Sequence, residues 1–386
     1  MRVAQDLMVA ARRWRQVSAT AATSDGGATE REDLRQWFRE VSRGQAAEDA
    51  LRTASLFELE AGELPWRDTG LDLEAGEWVT TAAAGRLILS GPLDLWVGPQ
   101  FQLWMRVGET GRIFNGTRDT HSFCVAETGR LYLAGYFPGQ WGDDSGRVST
   151  SLGDYSKFAG GLTVAVLRWR GQAQEGMAAL GGGRYVAAEQ ERLRDAVSAP
   201  RNWKYLWMLG QSEIFQDAVE DGRPCIACHT ERNVGILQHD APFDLTPETT
   251  IRWDWKLDEL PSRLPENTAL SHDYLSVAVE FENGRDITYT WSPELPLGTG
   301  YWCPLPTWKD REFHVVIRSG AEGLGTWLAE ERNLFEDYRR YMGEPPRRVV
   351  KVWLIAVSIF QRQRGVVRYR GIALDGGSEG RRLEIS

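Results

Sequence analysis

The sequence predicts a mainly β protein that contains two tandem β-sandwich domains of the jelly-roll type. With 386 residues, the chain is longer than a single domain with one hydrophobic core usually is. Its composition, 42% hydrophobic and 26% charged residues, is typical of a globular protein. Short apolar runs bounded by glycine, proline and aspartate recur from about residue 57 onward, a pattern typical of strands and turns. Seventeen tryptophans provide flat side chains that suit sandwich cores and contact with sugar rings.

Two helical regions accompany the predicted sandwiches. Ala4–Val17 and Glu30–Ala54 have apolar residues at helical spacing, so we interpret residues 1–55 as a helical arm. Tyr185–Val197 has the same spacing, follows three glycines and ends before a proline. It predicts a helical connector over residues 172–202.

The first sandwich is expected at residues 56–171 and the second at residues 203–386. Asn283-Gly284 predicts a two-residue type I′ hairpin, since both residues tolerate positive φ. Thr326–Met342 is interpreted as one inserted helix, because its aromatic residues recur at helical spacing. The predicted strands are Trp78–Ala83, Arg86–Ser90, Phe101–Val107, Leu131–Ala134, Leu162–Arg168, Thr250–Leu257, Tyr274–Phe281, Ile287–Trp291, Phe313–Ser319, Val349–Phe360 and Val366–Leu374.

Charge and hydropathy exclude several functional classes. The net charge of −9 disfavours binding of nucleic acid through a general basic surface. No apolar stretch is long enough to predict a membrane span, and the N-terminal sequence does not have the pattern of a signal peptide. We therefore expect a cytoplasmic protein with reduced cysteines. The sequence also lacks a phosphate-binding glycine-rich loop, a Gly-x-Ser-x-Gly elbow and a His-Glu-x-x-His motif.

Residues 65–170 contain four motifs, Trp66–Gly70, Glu74–Glu77, Leu103–Gly108 and Tyr136–Gly146. This segment resembles the PA-IL-type calcium-dependent galactophilic lectin family. The resemblance implies a small jelly-roll sandwich that binds a glycan. The candidate ligand-binding residues of the last motif are Tyr136, Gln140 and Trp141.

The same motif contains Asp143 and Asp144 on a glycine-rich loop. The resemblance implies a calcium site there, because the equivalent loop of the family supplies calcium ligands. Adjacent carboxylates and loop carbonyls are also the hard oxygens that calcium prefers. The sequence departs from the family at Tyr136, which replaces an aspartate ligand, and before Phe101, where the sugar-contacting His-Pro loop is missing. From residue types alone, the alternative is a turn that closes a hairpin.

Residues 251–374 carry a second set of motifs. These are Trp253-Asp254-Trp255, His272–Phe281, Val315–Gly320 and Tyr369–Leu374. They resemble the bacterial family known as domain of unknown function 3047, which brings no established activity. The last strand also resembles the closing strand of jelly-roll carbohydrate-binding modules, which favours a galactose-binding-like sandwich as the fold.

The segment Cys225-Ile226-Ala227-Cys228-His229 allows three interpretations. It matches the Cys-x-x-Cys-His pattern of c-type haem attachment, but haem attachment occurs outside the cytoplasm and the motif occurs once, so we expect no haem. A tetrahedral zinc site formed with His239 is the second interpretation. The third is a pair of ordinary thiols that pack as small hydrophobic residues.

Strand alternation predicts a titratable face in the second sandwich. If Phe313 and Val315 face the core, His314 and Arg318 share the opposite face. Such a cluster could move a proton through histidine or tyrosine and neutralise an anion through arginine. The alternative is a polar strand face that meets water. The candidate catalytic residues are His272, Asp273, Glu280, Tyr289, His314 and Arg318.

One further strand is a candidate floor for a ligand groove. Val349–Phe360 has apolar residues on both faces, so it is either central to the sandwich or lies beneath a bound ligand. In the second case Trp353 and Gln361 are candidate ligand-binding residues.

These observations lead to two main hypotheses of function. The first is a carbohydrate-recognising protein that depends on calcium through its first domain. The second is an enzyme with acid–base chemistry in the C-terminal groove, acting on a polysaccharide or a small molecule, with the lectin-like domain for targeting. A third class is a homo-oligomer assembled through the apolar face of Ala4–Val17, which contains Leu7, Met8, Ala11 and Trp14.

Overall fold

The computed structural model describes residues 2–20, 26–62, 66–135, 141–149, 158–272, 274–377 and 381–386. The chain divides into two units. The N-terminal unit comprises residues 13–196 with 207–211, and the C-terminal unit comprises residues 1–12, 197–206 and 212–386. Among the described residues, no helix has the length and apolar character needed to cross a membrane.

The N-terminal unit is a β-sandwich with helices on one outer face. A five-stranded antiparallel sheet has the order β1-β9-β3-β4, with β7 also paired to β3, and a four-stranded sheet has the order β2-β8-β5-β6. The elements of this part of the chain are α1 (Arg2–Thr20), α2 (Gly26–Val41), α3 (Gln45–Ala50), β1 (Leu51–Glu60), β2 (Arg67–Leu73), β3 (Trp78–Ser90), β4 (Leu95–Val97), α4 (Pro99–Gln102), β5 (Leu103–Val107), β6 (Phe114–Asn115), β7 (Thr120–Cys124), β8 (Gly129–Gly135), β9 (Ala159–Trp169), α5 (Ala173–Leu180) and α6 (Arg184–Arg194).

Two apolar layers cover the two faces of the five-stranded sheet. Val164 and Met105 belong to the core between the two sheets. Ala165 and Leu167, which point the other way, pack with Trp37 of α2 and Met177 of α5. The central strands are therefore buried on both faces, and the predicted arm and connector contribute helices to this second layer.

The structure corrects several element boundaries in this unit. The helix predicted over Glu30–Ala54 ends at Val41, and residues from Leu51 onward form β1, which pairs with β9. The two strands predicted on either side of Gly85 are one strand, β3. Gly85 permits this continuity, because it has a φ of 120° and a Cβ there would lie 2.2 Å from the Gly161 carbonyl oxygen.

The C-terminal unit is a larger β-sandwich. A seven-stranded sheet has the order β10-β13-β20-β15-β16-β18-β17, and a second sheet has the order β11-β12-β21-β14-β19, with β22 paired to β21. The β16–β18 pair is parallel. The elements are β10 (Lys204–Tyr205), β11 (Phe215–Glu220), β12 (Arg223–Glu231), β13 (Val234–Asp244), β14 (Thr250–Glu259), β15 (Leu275–Phe281), β16 (Asp286–Ser292), β17 (Gly300–Trp302), β18 (Glu312–Ser319), β19 (Leu328–Asn333), α7 (Leu334–Met342), β20 (Arg348–Val357), β21 (Arg364–Asp375) and β22 (Arg382–Glu384).

The helix predicted over Thr326–Met342 is half strand and half helix. Leu328–Asn333 forms β19, which pairs with β14. The helix α7 begins after Asn333, whose side chain accepts a hydrogen bond from the Glu336 N–H. The aromatic spacing therefore predicts the helix correctly only in the second half of the segment. Asn333 is the N-cap residue of this helix.

The hairpin between β15 and β16 is present, but its turn differs from the predicted one. Four residues, 282–285, separate the two strands, and Gly284 has a φ of 73°. A type I′ turn needs positive φ at both central residues, and Asn283 does not have it.

Candidate functional site

The outer face of the seven-stranded sheet carries a continuous strip of polar side chains. Strand alternation places Leu237, Val279 and Ile287 in the core and directs their neighbours outward. Cross-strand pairing then sets the outward residues of β13, β20, β15, β16 and β18 side by side. We call these residues the polar band: Gln238, Asp240, Glu280, Asp286, Thr288, Glu312, His314, Lys351 and Trp353.

The polar band is open at its β13 end. A groove of about 410 Å³ lies there, next to the edge strand β10. Its side chains include amides, a carboxylate, ammonium groups and an imidazole, so each of them can donate or accept hydrogen bonds. The residues that line the groove are Asn202, Lys204, Gln238, His239, Asp240 and Lys351.

The middle of the polar band combines a carboxylate with two indole rings. One Glu280 carboxylate oxygen accepts a hydrogen bond from Trp353 Nε1 at 3.2 Å and lies 3.4 Å from Lys351 Nζ. The Trp353 ring is buried and packs edge-on against Trp308, with 6.2 Å between ring centroids. Trp308 itself is only partly buried. This arrangement fixes the Glu280 carboxylate between a cation and an indole N–H.

The other end of the polar band is buried and contains two carboxylates and an imidazole. Thr288 Oγ1 lies 2.9 Å from Asp286 Oδ1 and 3.4 Å from Glu312 Oε1. His314 Nε2 lies 3.8 Å from the same Glu312 oxygen, and the His314 ring stacks on Tyr301 at 4.8 Å. Carboxylates and imidazole are the groups used in general acid–base chemistry, and here they share a site shielded from water.

The predicted catalytic residues divide between the two faces of this sheet. Glu280 and His314 lie on the polar band, but Tyr289 faces the core, where its hydroxyl donates to Asp337 at 2.8 Å. Burial raises the pKa of Tyr289 well above its usual value. Tyr289 is therefore a core residue, and its inclusion in the cluster is corrected.

Arg318 also lies away from His314, and a β-bulge is the reason. Val316 pairs with Thr290, but Arg318 pairs with Trp291, so one extra residue of β18 interrupts the alternation. The Arg318 Nε donates to Glu330 at 2.7 Å. The prediction that Arg318 and His314 share a face is wrong because alternation holds only where no bulge intervenes.

His272 and Gln361 lie together at a different place. Both line a small cavity at the end of β15 and β20, with the Phe360 ring 6.5 Å from the His272 ring. The Gln361 side chain donates to the Leu270 carbonyl at 2.7 Å. The structure thus separates His272 from His314, and Asp273 lies outside the described residues.

The cysteine motif forms a strand and not a metal-binding turn. Cys225 and Cys228 lie on β12 and face opposite sides of the sheet, with Cys228 fully buried in the core. His229 is exposed, and His239 packs against Trp203 at 5.3 Å. Burial raises the pKa of both thiols, which disfavours the thiolate. In the part of the chain that the structure describes, these residues are not grouped as the zinc interpretation expects, because alternation separates Cys225 from Cys228 and His239 lies on β13.

Of the candidate ligand-binding residues in the N-terminal unit, the structure describes only Trp141. Tyr136 and Gln140 lie outside the described residues. Trp141 is 5% exposed, and its ring packs on Trp66 at 5.1 Å and on Trp104 at 5.7 Å. Trp141 therefore belongs to an aromatic cluster of the core, and its assignment as a ligand-binding residue is corrected.

Asp143 and Asp144, the candidate calcium ligands, contact other side chains in the part of the chain that the structure describes. The Asp143 carboxylate binds Arg147 Nε at 2.9 Å and the Ser145 hydroxyl at 2.6 Å. Asp144 points to solvent, with Arg112 Nε 3.9 Å away. Within the described ranges, no three His, Cys, Asp or Glu side chains are placed to hold a metal ion.

Sequence reasoning missed most of the open end of the polar band. Gln238 and Asp240 lie on β13, a strand that was not predicted, and Lys351 was not singled out on β20. A signal was present in Val234–Asp244, where an apolar run changes to alternating polar residues. Asp286 could not be found in this way, because its role depends on which strands lie beside it.

Comparisons with solved structures give low overall similarity. The N-terminal domain of EclA, a PllA-like lectin, has 19% identity and a TM-score of 0.24, and the match covers 31% of this chain and 98% of that domain. The xyloglucanase domain of NopAA, a type three effector from Sinorhizobium fredii in complex with cellobiose, has 9% identity and a TM-score of 0.26, with 42% and 90% covered. No curated protein matches the sequence. Residues 201–373, which contain the polar band, match the family described as protein of unknown function (DUF3047).

Proposed function

We propose that this chain is a carbohydrate-recognising protein and that a glycan binds at the open end of the polar band. The observation that carries the proposal is the groove beside β10 and β13, whose lining consists of hydrogen-bonding side chains. A binding site fixes its ligand through a few precisely placed polar groups on a rigid scaffold. Here the scaffold is a seven-stranded sheet, which holds most of these side chains at fixed register positions.

The chemistry of the groove suits the hydroxyl groups of a sugar. A sugar hydroxyl both donates and accepts, so it is best matched by amides and by paired carboxylate and ammonium groups. Gln238 and Asn202 provide the amides, and Asp240 with Lys351 provides the charged groups. Trp308, which packs on Trp353 of the polar band, is only partly buried and adds an indole ring, with the Arg311 guanidinium 5.2 Å from its centre.

A glycan array on the full chain tests this proposal. We expect the wild type to retain a defined set of glycans. Lys351→Met should reduce that retention at least about tenfold, because a lost hydrogen bond that involves a charge costs about 1.5–3 kcal/mol. Gln238→Ala should reduce it by a smaller factor, about two- to tenfold, because a neutral hydrogen bond contributes about 0.5–1.5 kcal/mol. Each bound glycan is recovered and its mass is measured.

The matched control is Glu331→Gln. Glu331 is an exposed charged residue of β19, in the other sheet of the same unit, where it pairs with Arg252. This variant should retain the wild-type glycans. Equal retention by all three variants and the wild type, or no retained glycan with any of the proteins, would refute the proposed site.

The buried end of the polar band favours an enzyme as the second candidate function. Its specific basis is the group formed by Asp286, Thr288, Glu312 and His314. If a bound glycan extends along the polar band to this buried group and the group performs acid–base chemistry on it, the recovered glycans will be shortened or altered in mass. His314→Gln would then leave retention in place and abolish the change in mass.

A further inference from the structure

Residues 142–147 form a tight loop at the place where the resemblance to calcium-dependent lectins implies a metal site. We call this segment the acidic loop. Gly142 N donates to the Arg147 carbonyl at 2.6 Å, and Gly146 N donates to the Asp143 carbonyl at 3.1 Å, so the loop closes on itself.

Both oxygens of the Asp143 carboxylate have partners inside the acidic loop. Oδ1 accepts from the Ser145 hydroxyl at 2.6 Å, from Ser145 N at 3.2 Å and from Arg147 N at 3.3 Å. Oδ2 accepts from Arg147 Nε at 2.9 Å. The hydrogen bonds from Ser145 and Arg147 lower the pKa of Asp143 to about 2. The negative charge of this carboxylate is therefore stabilised by protein groups alone.

The backbone carbonyls of the acidic loop are also engaged. Two guanidinium groups take part: Arg147 Nη2 donates to the Gly142 carbonyl at 3.4 Å, and Arg106 Nη1 donates to the Ser145 carbonyl at 2.9 Å. Trp66 Nε1 donates to the Gly146 carbonyl at 2.9 Å, and Ile113 N donates to the Asp144 carbonyl at 2.8 Å. Together with the two backbone bonds that close the loop, this gives every carbonyl from Gly142 to Arg147 a hydrogen-bond donor.

Arg106 is held in position by aromatic rings. Its guanidinium carbon lies 4.5 Å from the centre of the Trp66 ring and 5.1 Å from that of Tyr132. Stacking between a guanidinium and aromatic faces is favourable and orients the donors. The positive charge next to the Ser145 carbonyl is therefore the Arg106 side chain. Unlike a bound metal ion, it cannot be removed by a chelator.

Among the described residues of the acidic loop, the oxygens that remain are too few for calcium. Calcium binds six to eight oxygens, often including backbone carbonyls. In the acidic loop the carbonyls and Asp143 are occupied, and the Asp144 carboxylate is 66% exposed. One exposed carboxylate contributes at most two of the required ligands.

We infer that Arg147 and Arg106 take the structural place of a calcium ion, so that the acidic loop keeps its shape without metal. Arg147 neutralises Asp143 and ties it to the Gly142 carbonyl, and Arg106 ties the far side of the loop to the aromatic cluster. Arginine stays charged at all physiological pH values, so this replacement is permanent. The inference concerns the N-terminal unit and is independent of glycan binding at the polar band.

Calcium titration of the full chain tests the inference. After treatment with a chelator, the wild type should show no saturable heat with millimolar calcium in isothermal titration calorimetry. Its melting temperature should also be the same with calcium and with chelator. Saturable calcium binding by the wild type that Asp143→Asn abolishes would overturn the inference.

The variant Arg147→Gln should create a calcium response. Without the Arg147 guanidinium, the Asp143 carboxylate loses its ion-pair partner next to the exposed Asp144, so calcium should bind at least about tenfold more tightly than to the wild type. Calcium should then raise the melting temperature of this variant. Arg39→Gln, which removes an exposed arginine of α2 that pairs with Glu32, should show no calcium response.

A conservative variant keeps the test decisive if Arg147→Gln folds poorly. Arg147→Lys retains the positive charge next to Asp143 and loses the geometry that reaches the Gly142 carbonyl. It should melt at a lower temperature than the wild type and should not respond to calcium. If neither Arg147 variant changes melting or calcium binding, Arg147 does not replace the ion and the inference fails.

Discussion

At the scale of single residues, the protein environment decides the protonation state of a histidine in the N-terminal unit. His121 on β7 accepts a hydrogen bond from the Thr117 N–H at 3.5 Å, and its ring stacks on Phe123. Burial, with a smaller effect from Arg192, lowers the pKa of His121 to about 4. The folded N-terminal unit therefore contains neutral His121 at neutral pH. The adjacent α6 contains a buried ion pair between Glu189 and Arg192, 2.6 Å apart, and Arg192 Nη2 donates to the Ser122 carbonyl of β7 at 3.3 Å.

His121 should make stability depend on pH in a defined direction. Between its ordinary pKa of 6.5 and about 4, the unfolded chain binds a proton at this site that the folded chain does not bind. The free energy of unfolding should therefore fall as the pH falls through this range, by about 1.4 kcal/mol for each pH unit. Urea unfolding of the wild type and of His121→Gln measures the difference. The same pH dependence in both proteins would contradict the assignment.

At the scale of elements, local sequence patterns were correct where a single segment decides the structure. The alternation of β18 places Phe313 and Val315 in the core and His314 on the opposite face, as predicted. The pattern failed at Arg318, because a bulge depends on the neighbouring strand β16. It also failed over Thr326–Met342, where pairing with β14 makes the first half of the predicted helix a strand.

The capping residue of α7 should contribute measurably to stability. Asn333 Oδ1 accepts from the Glu336 N–H at 2.8 Å, and its side-chain amide donates to the Pro247 carbonyl at 2.8 Å. Asn333→Ala should lower the free energy of unfolding by about 1 kcal/mol, since an N–H at the helix start loses its acceptor. Asn333→Asp keeps the acceptor and should retain most of the stability. The midpoint of urea unfolding measures both, and equal losses for the two variants would exclude capping as the cause.

At the scale of the whole molecule, the chain contains separate sandwich cores. Leu162 and Val164 belong to the core between the two sheets of the N-terminal unit, and Leu354 and Val279 belong to the core of the C-terminal unit. The chain enters the C-terminal unit in three segments, so this unit is assembled from residues far apart in sequence. A single domain boundary along the sequence cannot describe a unit that consists of three separate segments.

Separate cores should give separable thermal transitions. Leu162→Ala and Leu354→Ala each remove a fully buried side chain, and such a change costs about 2–5 kcal/mol. In differential scanning calorimetry we expect each substitution to lower one transition and to leave the other in place. A single transition that both substitutions shift by the same amount would show that the two units unfold together.

The sequence by itself determined the β class of the protein, the alternation of its strands and the position of the acidic loop. These properties depend on residues that are neighbours along the chain, because side chains alternate with a period of two and turns need particular residue types. Only the tertiary structure decided the candidate site. The polar band joins residues from Gln238 to Trp353 on five strands, and the parallel pairing of β16 with β18 brings Asp286 next to Glu312. Strand order is not encoded in any local pattern, and for the same reason Arg106 could not be assigned to the acidic loop before the fold was known.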